Sequence, residues 1–273
     1  MMSLRWLLAF VLFLPLVVLA ETIEQPAVAA DPAVTDNDAH VLTLYEPNFL
    51  ITTWTSDYAF NESMFQVSGK YRFPSTQLHL AYTQLSFWQM WDRDASRPFR
   101  ETNYRPEFFY RFIQGDNNLG FTQFTMPFGL DIGFMHESNG QPIPESRSWN
   151  RYYIRPYWKN DRHFIALQLW NRVPEGNKKS PDDPKGDDNP DILDYYGFGA
   201  LNYQHTFPET GVLINTLARA NLREGKGAFQ LQISQRLLKR FNIMAHVFSG
   251  YGESLIDYNR HVTRYGLGFA LSL

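Results

Sequence analysis

The chain has 273 residues, with 25 Lys and Arg against 28 Asp and Glu, a formal net charge of −3, and 16% aromatic residues. This balance leaves no basic footprint, so nucleic acid is excluded as a partner. The absence of cysteine excludes a disulfide framework, a thiolate metal site and a cysteine nucleophile together.

The first twenty residues differ from the rest. Arg5 is followed by an apolar run from Trp6 to Leu19, broken only by Pro15, and small residues close it before Glu21. This pattern predicts a cleaved secretory signal peptide over 1–20. An uncleaved N-terminal anchor is the other reading of the same run. Residues 21–40 are polar, rich in Pro and Ala and without periodicity, which predicts a loosely docked periplasmic segment. Past residue 20 no apolar run approaches the ~20 residues of a spanning helix, so a helical membrane protein is excluded.

Residues 41–273 read as an all-β domain of twelve strands with period-2 alternation. In chain order they are 44–54, 64–73, 77–90, 104–113, 120–136, 148–158, 163–170, 194–204, 211–220, 227–236, 241–250 and 262–273, with Pro127 marking a bend in the fifth. The connections alternate: 91–103, 139–147, 171–193 and 251–261 are long, whereas 74–76, 159–162 and 237–240 are short. Within strands the faces separate, with Phe229, Leu231 and Ile233 alternating against Gln230, Gln232 and Ser234. A soluble sandwich shares that alternation strand by strand. An even strand count with long loops on one rim and short turns on the other points instead to a twelve-stranded antiparallel transmembrane β-barrel. The stretch 174–191, rich in Gly, Asp, Pro and Lys, reads for the most part as a solvated outer loop.

The chemistry concentrates between Leu130 and Tyr157. On the fifth strand Leu130, Ile132, Phe134, His136 and Ser138 share one face. On the sixth, Trp149, Arg151, Tyr153 and Arg155 belong in the lumen, because arginines avoid lipid, which turns Asn150 outward with Tyr152 and Ile154. His136, Ser138 and Asn150 therefore converge on the lipid face near the long-loop rim. His136 and Ser138 are about 7 Å apart at Cα. Asn150 opposite His136 orients one imidazole nitrogen and leaves the other for the Ser138 hydroxyl, the logic of nucleophile, base and orienting group. An amide suits this place, because an ionised carboxylate beside lipid is expensive.

The stretches His136-Glu137-Ser138-Asn139-Gly140 and Ser146-Arg147-Ser148-Trp149-Asn150-Arg151 resemble the signature of the outer membrane phospholipase A family. So do YTQ at 82–84, PFRETNY at 98–104, DDNPDI at 187–192 and SGYGESLIDYN at 249–259. The resemblance implies a twelve-stranded barrel in the bacterial outer membrane that hydrolyses acyl esters of phospholipids and lysophospholipids, depends on Ca2+ and acts as a homodimer. It implies Ser138 as nucleophile, His136 as general base, Asn150 as orienting residue and the Gly140 N–H in the oxyanion hole. It implies Ser96, Gln141 and Ser146 at the calcium positions of the dimer, Asp188 at a calcium position of the monomer, and Gln84 as a polar contact between protomers. The chain departs from the family's best-known members at Gln141, where they carry Arg and the ligand is a backbone carbonyl, and at Ile143, which stands where an acid is expected beside Asp188. The competing reading, from another functional class, is a passive pore or structural barrel. A pore has no use for His136, Ser138 and Asn150 on its lipid face.

Overall fold

The computed structural model describes residues 42–58, 61–113, 128–180, 183 and 185–271. The leader read at 1–20, the segment read at 21–40 and the bend at Pro127 lie outside the described residues. Strands β1 (Leu42–Leu44), β2 (Asn48–Trp54), β3 (Glu62–Arg72), β4 (Leu78–Trp88), β5 (Phe99–Ile113), β6 (Phe128–Ser138), β7 (Ser148–Lys159) and β8 (His163–Arg172) are followed by helix α1 (Ile192–Tyr196). Strands β9 (Gly199–Phe207), β10 (Val212–Asn221), β11 (Lys226–Leu238), β12 (Phe241–Gly250) and β13 (Val262–Leu271) complete the sheet. All pairings are antiparallel, and β13 pairs β2 from Leu271↔Asn48 to Tyr265↔Trp54. The twelve strands β2–β13 thus close on themselves and leave no edge to be satisfied in lipid.

The first expected strand is interrupted. Both β1 and β2 pair the same side of β3, Leu44 opposite Gly69 and Phe49 opposite Gln66. Pro47 lacks the N–H that would continue the ladder. Asn48 bridges the gap, its Nδ2 donating to the Ser68 carbonyl at 2.9 Å while its Oδ1 accepts from the Ser68 N–H at 2.8 Å.

Two further boundaries differ from expectation. The strand expected from Tyr104 begins at Phe99. Its first turn of sequence, FRETN, has no apolar alternation because Glu101 and Asn103 are buried in polar company inside the barrel. The strand expected from Asp194 begins at Gly199. Ahead of it Pro190 and Asp191 start the short helix α1, which stops at Gly197 with φ +67°, where a Cβ would lie 2.6 Å from the Ala220 carbonyl.

The outside of the barrel is apolar. Leu50, Leu80, Phe108, Ile132, Ile154, Leu167, Phe229, Leu267 and Phe269 form an exposed apolar exterior. Aromatic pairs such as Phe128–Trp158, Tyr110–Phe112 and Tyr71–Phe73 gather at the short-turn rim. The interior holds the charges. Asp131 receives Arg111 at 2.8 Å and Arg155 at 2.7 Å, and the Tyr45 hydroxyl donates to Glu107 at 2.8 Å. Nearer the long-loop rim, Arg264 meets Glu253 at 2.7 Å and Glu62 at 3.0 Å, and Arg100 joins Glu62 to Asp257 at 2.6 Å each. An apolar belt with aromatic girdles around a polar core is the construction of a barrel in lipid.

Helix α1 and loop 251–261 seal the long-loop mouth. Ile192, Tyr196, Leu255 and Tyr258 pack on Trp149, which projects inward from β7. DDNPDI and SGYGESLIDYN therefore back the hairpin β6–β7 from inside. The Tyr258 hydroxyl donates to Asp191. Burial, and then the Asp191 carboxylate, hold the phenol well above its ordinary pKa, so it remains a donor.

Candidate active site

Hairpin β6–β7 sets the site by its register. His136 lies directly opposite Asn150, and Ser138 opposite Ser148. The odd-numbered residues Met135, Glu137, Trp149 and Arg151 are buried. They are locked together, with the Trp149 Nε1–H donating to Glu137 at 3.1 Å, Arg151 meeting Glu137 at 2.8 Å and the guanidinium 3.8 Å from the Trp149 ring centre. Because strand side chains alternate, this lock turns His136, Ser138 and Asn150 to the lipid face.

There the Asn150 Oδ1 lies 2.9 Å from His136 Nδ1. With Oδ1 facing the ring, Nδ1 is the donor of that contact, and Nε2 is the ring nitrogen turned away from Asn150. Ser138 is on the same face two residues on. Among the described residues no hydrogen bond joins its hydroxyl to the ring. Such contacts commonly tighten only with substrate bound. The other end of the Asn150 amide donates from Nδ2 to Glu175 Oε1 at 3.2 Å.

Loop 139–147 carries the next group. Gly140 has φ +67°, and a Cβ there would meet the Tyr104 ring at 3.2 Å. Glycine alone takes that conformation at little cost. Tyr104 is paired with Ser138 across β5–β6, so Gly140 and Ser138 both neighbour Tyr104. Asn139 clamps the loop. Its Oδ1 accepts from the Arg147 N–H at 2.9 Å and the Gln141 N–H at 3.3 Å, and its Nδ2 donates to the Glu145 carbonyl at 2.8 Å and to Glu101 at 3.3 Å. Asn189, fully buried, accepts from the Ser148 N–H at 3.1 Å and steadies the start of β7.

Gln84 belongs to a polar streak on the outer face of β4 and β5. The Tyr82 hydroxyl donates to Gln84 Oε1, and Gln84 Nε2 donates to Ser86 Oγ, each at 3.1 Å. Thr102 donates to the same Ser86 hydroxyl at 3.1 Å. Ser96 is exposed in loop 89–98 with φ +60°, and Gln141 is exposed in loop 139–147. Ser146 donates to Asp188 Oδ2 at 2.6 Å, whereas Asp188 Oδ1 holds the Lys178 ammonium at 2.5 Å. The structure therefore joins Ser146 to Asp188, and places Ser96 and Gln141 on neighbouring loops. At Asp188 the chain supplies a cation of its own.

Asn139, Glu101, Asn189 and Glu175 had no assigned role in the sequence reading. The first three lie inside the stretches HESNG, PFRETNY and DDNPDI, whose likeness to the family is the signal that marks them. Glu175 lay in the stretch read as a solvated loop and carried none.

Residues 52–271 match the family model of phospholipase A1. Phospholipase A1 of Escherichia coli is 33% identical over 98% of this chain and 97% of its own. The solved structure of outer membrane phospholipase A from Escherichia coli superimposes with a TM-score of 0.73 at 34% identity, covering 84% of this chain and 98% of that one. The calcium-bound dimer of the Salmonella typhi outer membrane phospholipase also gives a TM-score of 0.73, at 32% identity over 87% of this chain and 94% of its own. Closed barrel and sequence agree: the chain belongs to the phospholipase A1 family.

Proposed function

We propose that this outer-membrane barrel hydrolyses the acyl esters of phospholipids and lysophospholipids with Ser138 as nucleophile, His136 as base and Asn150 as orienting residue. The observation that carries the reading is the 2.9 Å contact from Asn150 Oδ1 to His136 Nδ1 on the lipid face, with Ser138 two residues along. Ser138 Oγ attacks the ester carbonyl as Nε2 takes its proton. The Gly140 N–H receives the developing oxyanion, an interaction strongest in the transition state. The imidazolium then protonates the departing glycerol oxygen, and water repeats the sequence on the acyl-enzyme.

Ca2+ and a homodimer belong to the same proposal. Ser96 and Ser146 offer hydroxyls and Gln141 a backbone carbonyl on adjacent outer loops, an all-oxygen set that suits a hard cation. When bound, the cation supplies positive charge near the oxyanion. Asp188 joins such a site only by releasing Lys178. A second barrel against the outer face of β4–β7 closes a groove for the acyl chain, with Gln84 pairing between protomers. The signal peptide at 1–20 and the periplasmic segment at 21–40 complete the proposed path to the membrane.

The pore reading is disfavoured by the Arg, Asp and Glu networks that fill the barrel. The test is labelling with a fluorophosphonate, beside hydrolysis of a defined phospholipid. Wild type is expected to be labelled at Ser138 and to hydrolyse. Ser138→Ala is expected to fold, to remain unlabelled and to lose hydrolysis. A folded Ser138→Ala variant that keeps its activity overturns the assignment.

A further inference from the structure

We propose that Glu175 is a positioning residue for the ester hydrolysis, acting through Asn150; the inference rests on His136 and Asn150 having the roles given above. An amide side chain has two ends of nearly equal shape and opposite hydrogen-bonding sense. Asn150 serves a base only when its oxygen faces His136. Turned over, its NH2 group faces Nδ1, the ring moves its proton to Nε2, and the nitrogen facing Ser138 can no longer accept. Nothing in Asn150 itself chooses between these states. An ionised carboxylate accepts and never donates, so Glu175 Oε1, 3.2 Å from Nδ2, selects the productive one.

The loop after β8 is built to deliver that carboxylate. The Val173 N–H donates to the Asn150 carbonyl at 2.8 Å, which carries the pairing beyond the end of β8 and brings Glu175 over the outer face of β7. Immediately afterwards the loop closes on itself, the Asp187 N–H donating to the Gly176 carbonyl at 2.8 Å. Arg172 donates to the Asp187 carboxylate at 2.5 Å and to the Asn189 carbonyl at 3.0 Å. Lys178 on Asp188 and Ser146 on the same carboxylate tie this loop to loop 139–147. Glu175 also supplies what an amide lacks. His136 gains positive charge as Ser138 attacks, and Asn150 is neutral. A carboxylate held on Nδ2 polarises the amide and strengthens the acceptor that Oδ1 offers to the imidazolium, so its influence reaches His136 through Asn150.

The experiment compares Glu175→Ala, Glu175→Gln, Asn150→Ala and the double variant Asn150→Ala/Glu175→Ala. It reads the rate constant of fluorophosphonate labelling at Ser138, kcat and KM on defined phospholipid micelles, and the unfolding temperature. Glu175→Ala is expected to lower labelling and kcat by about tenfold, the worth of one charge-assisted hydrogen bond, with KM and unfolding temperature unchanged. Glu175→Gln keeps an acceptor for Nδ2 and is expected to recover part of that loss. The double variant is expected to be no slower than Asn150→Ala alone, because Glu175 acts only through that side chain. Wild-type labelling by Glu175→Ala overturns the proposal, as does a full additional loss in the double variant. Wild-type rates in Asn150→Ala overturn the triad reading itself, and this inference with it.

Discussion

Replacing Asn150 by Asp gives the arrangement familiar from serine hydrolases and is expected to impair this enzyme. The substitution is isosteric. It preserves the acceptor 2.9 Å from His136 Nδ1 and turns the donor 3.2 Å from Glu175 into a carboxylate oxygen. Two unit charges at that separation repel by about 5 kcal/mol at an effective dielectric constant near 20, and by about 1.3 kcal/mol in bulk water. Glu175 is half-buried, so the repulsion lies between these, on the order of 2 kcal/mol, or about 30-fold in rate. The strain is relieved if the pair takes up one shared proton or if the Glu175 loop swings away. Both routes disturb the base. The assay is phospholipid hydrolysis in mixed micelles with excess Ca2+, across neutral to alkaline pH, for Asn150→Asp, Glu175→Gln and Asn150→Asp/Glu175→Gln. The double variant restores an NH2 group facing a carboxylate and is expected to regain most of the loss. Equal activity of Asn150→Asp and wild type, with no response to Glu175→Gln, refutes the reasoning.

Gly140→Ala places a Cβ 3.2 Å from the Tyr104 ring in a left-handed conformation, at a cost of about 1–2 kcal/mol. If the loop relaxes, the N–H turns away and kcat falls on the order of 100-fold; unchanged kcat removes Gly140 from the oxyanion hole. Chelator is expected to suppress hydrolysis and shift sedimentation toward monomer while sheet circular dichroism persists, because a cation that binds the assembled dimer favours its assembly. Ser146→Ala is expected to raise the Ca2+ concentration for half-maximal activity, and a chelator-induced loss of sheet signal makes the metal structural instead. Arg264→Met leaves Glu62 and Glu253 without a fully buried partner and is expected to cost about 3–5 kcal/mol. It should lower the unfolding temperature, with kcat of the folded fraction unchanged; a wild-type unfolding temperature contradicts it.

The barrel was legible because its two solvents enforce a period of two. Phe229, Leu231 and Ile233 face outward and Gln232 and Ser234 are buried, the separation written in that strand. The same rule assigned His136, Ser138 and Asn150 to one face. It failed where burial is polar on both sides of a boundary. Glu101 and Asn103 hold the Ile256 and Leu255 N–H groups at 3.1 Å, so the start of β5 shows no hydrophobic alternation. It failed again at α1, five residues long, too short to show a period of its own. Glu175 was hidden for a different reason. Its partner is twenty-five positions away on another strand, and no local pattern marks a loop acid that meets an amide.

The packed interior bears on the cell as well as on the fold. A twelve-stranded wall lined by small polar groups would enclose water; here Arg155, Asp131, Glu107 and Tyr45 occupy one level and Arg264, Glu62, Glu253 and Arg100 another. Each guanidinium is anchored by carboxylates from other strands or from loop 251–261, so opening a path breaks several ion pairs at once. A barrel filled in this way is expected to carry no ion current in a planar bilayer. On that expectation an outer membrane can hold the protein among its lipids without giving up its permeability barrier.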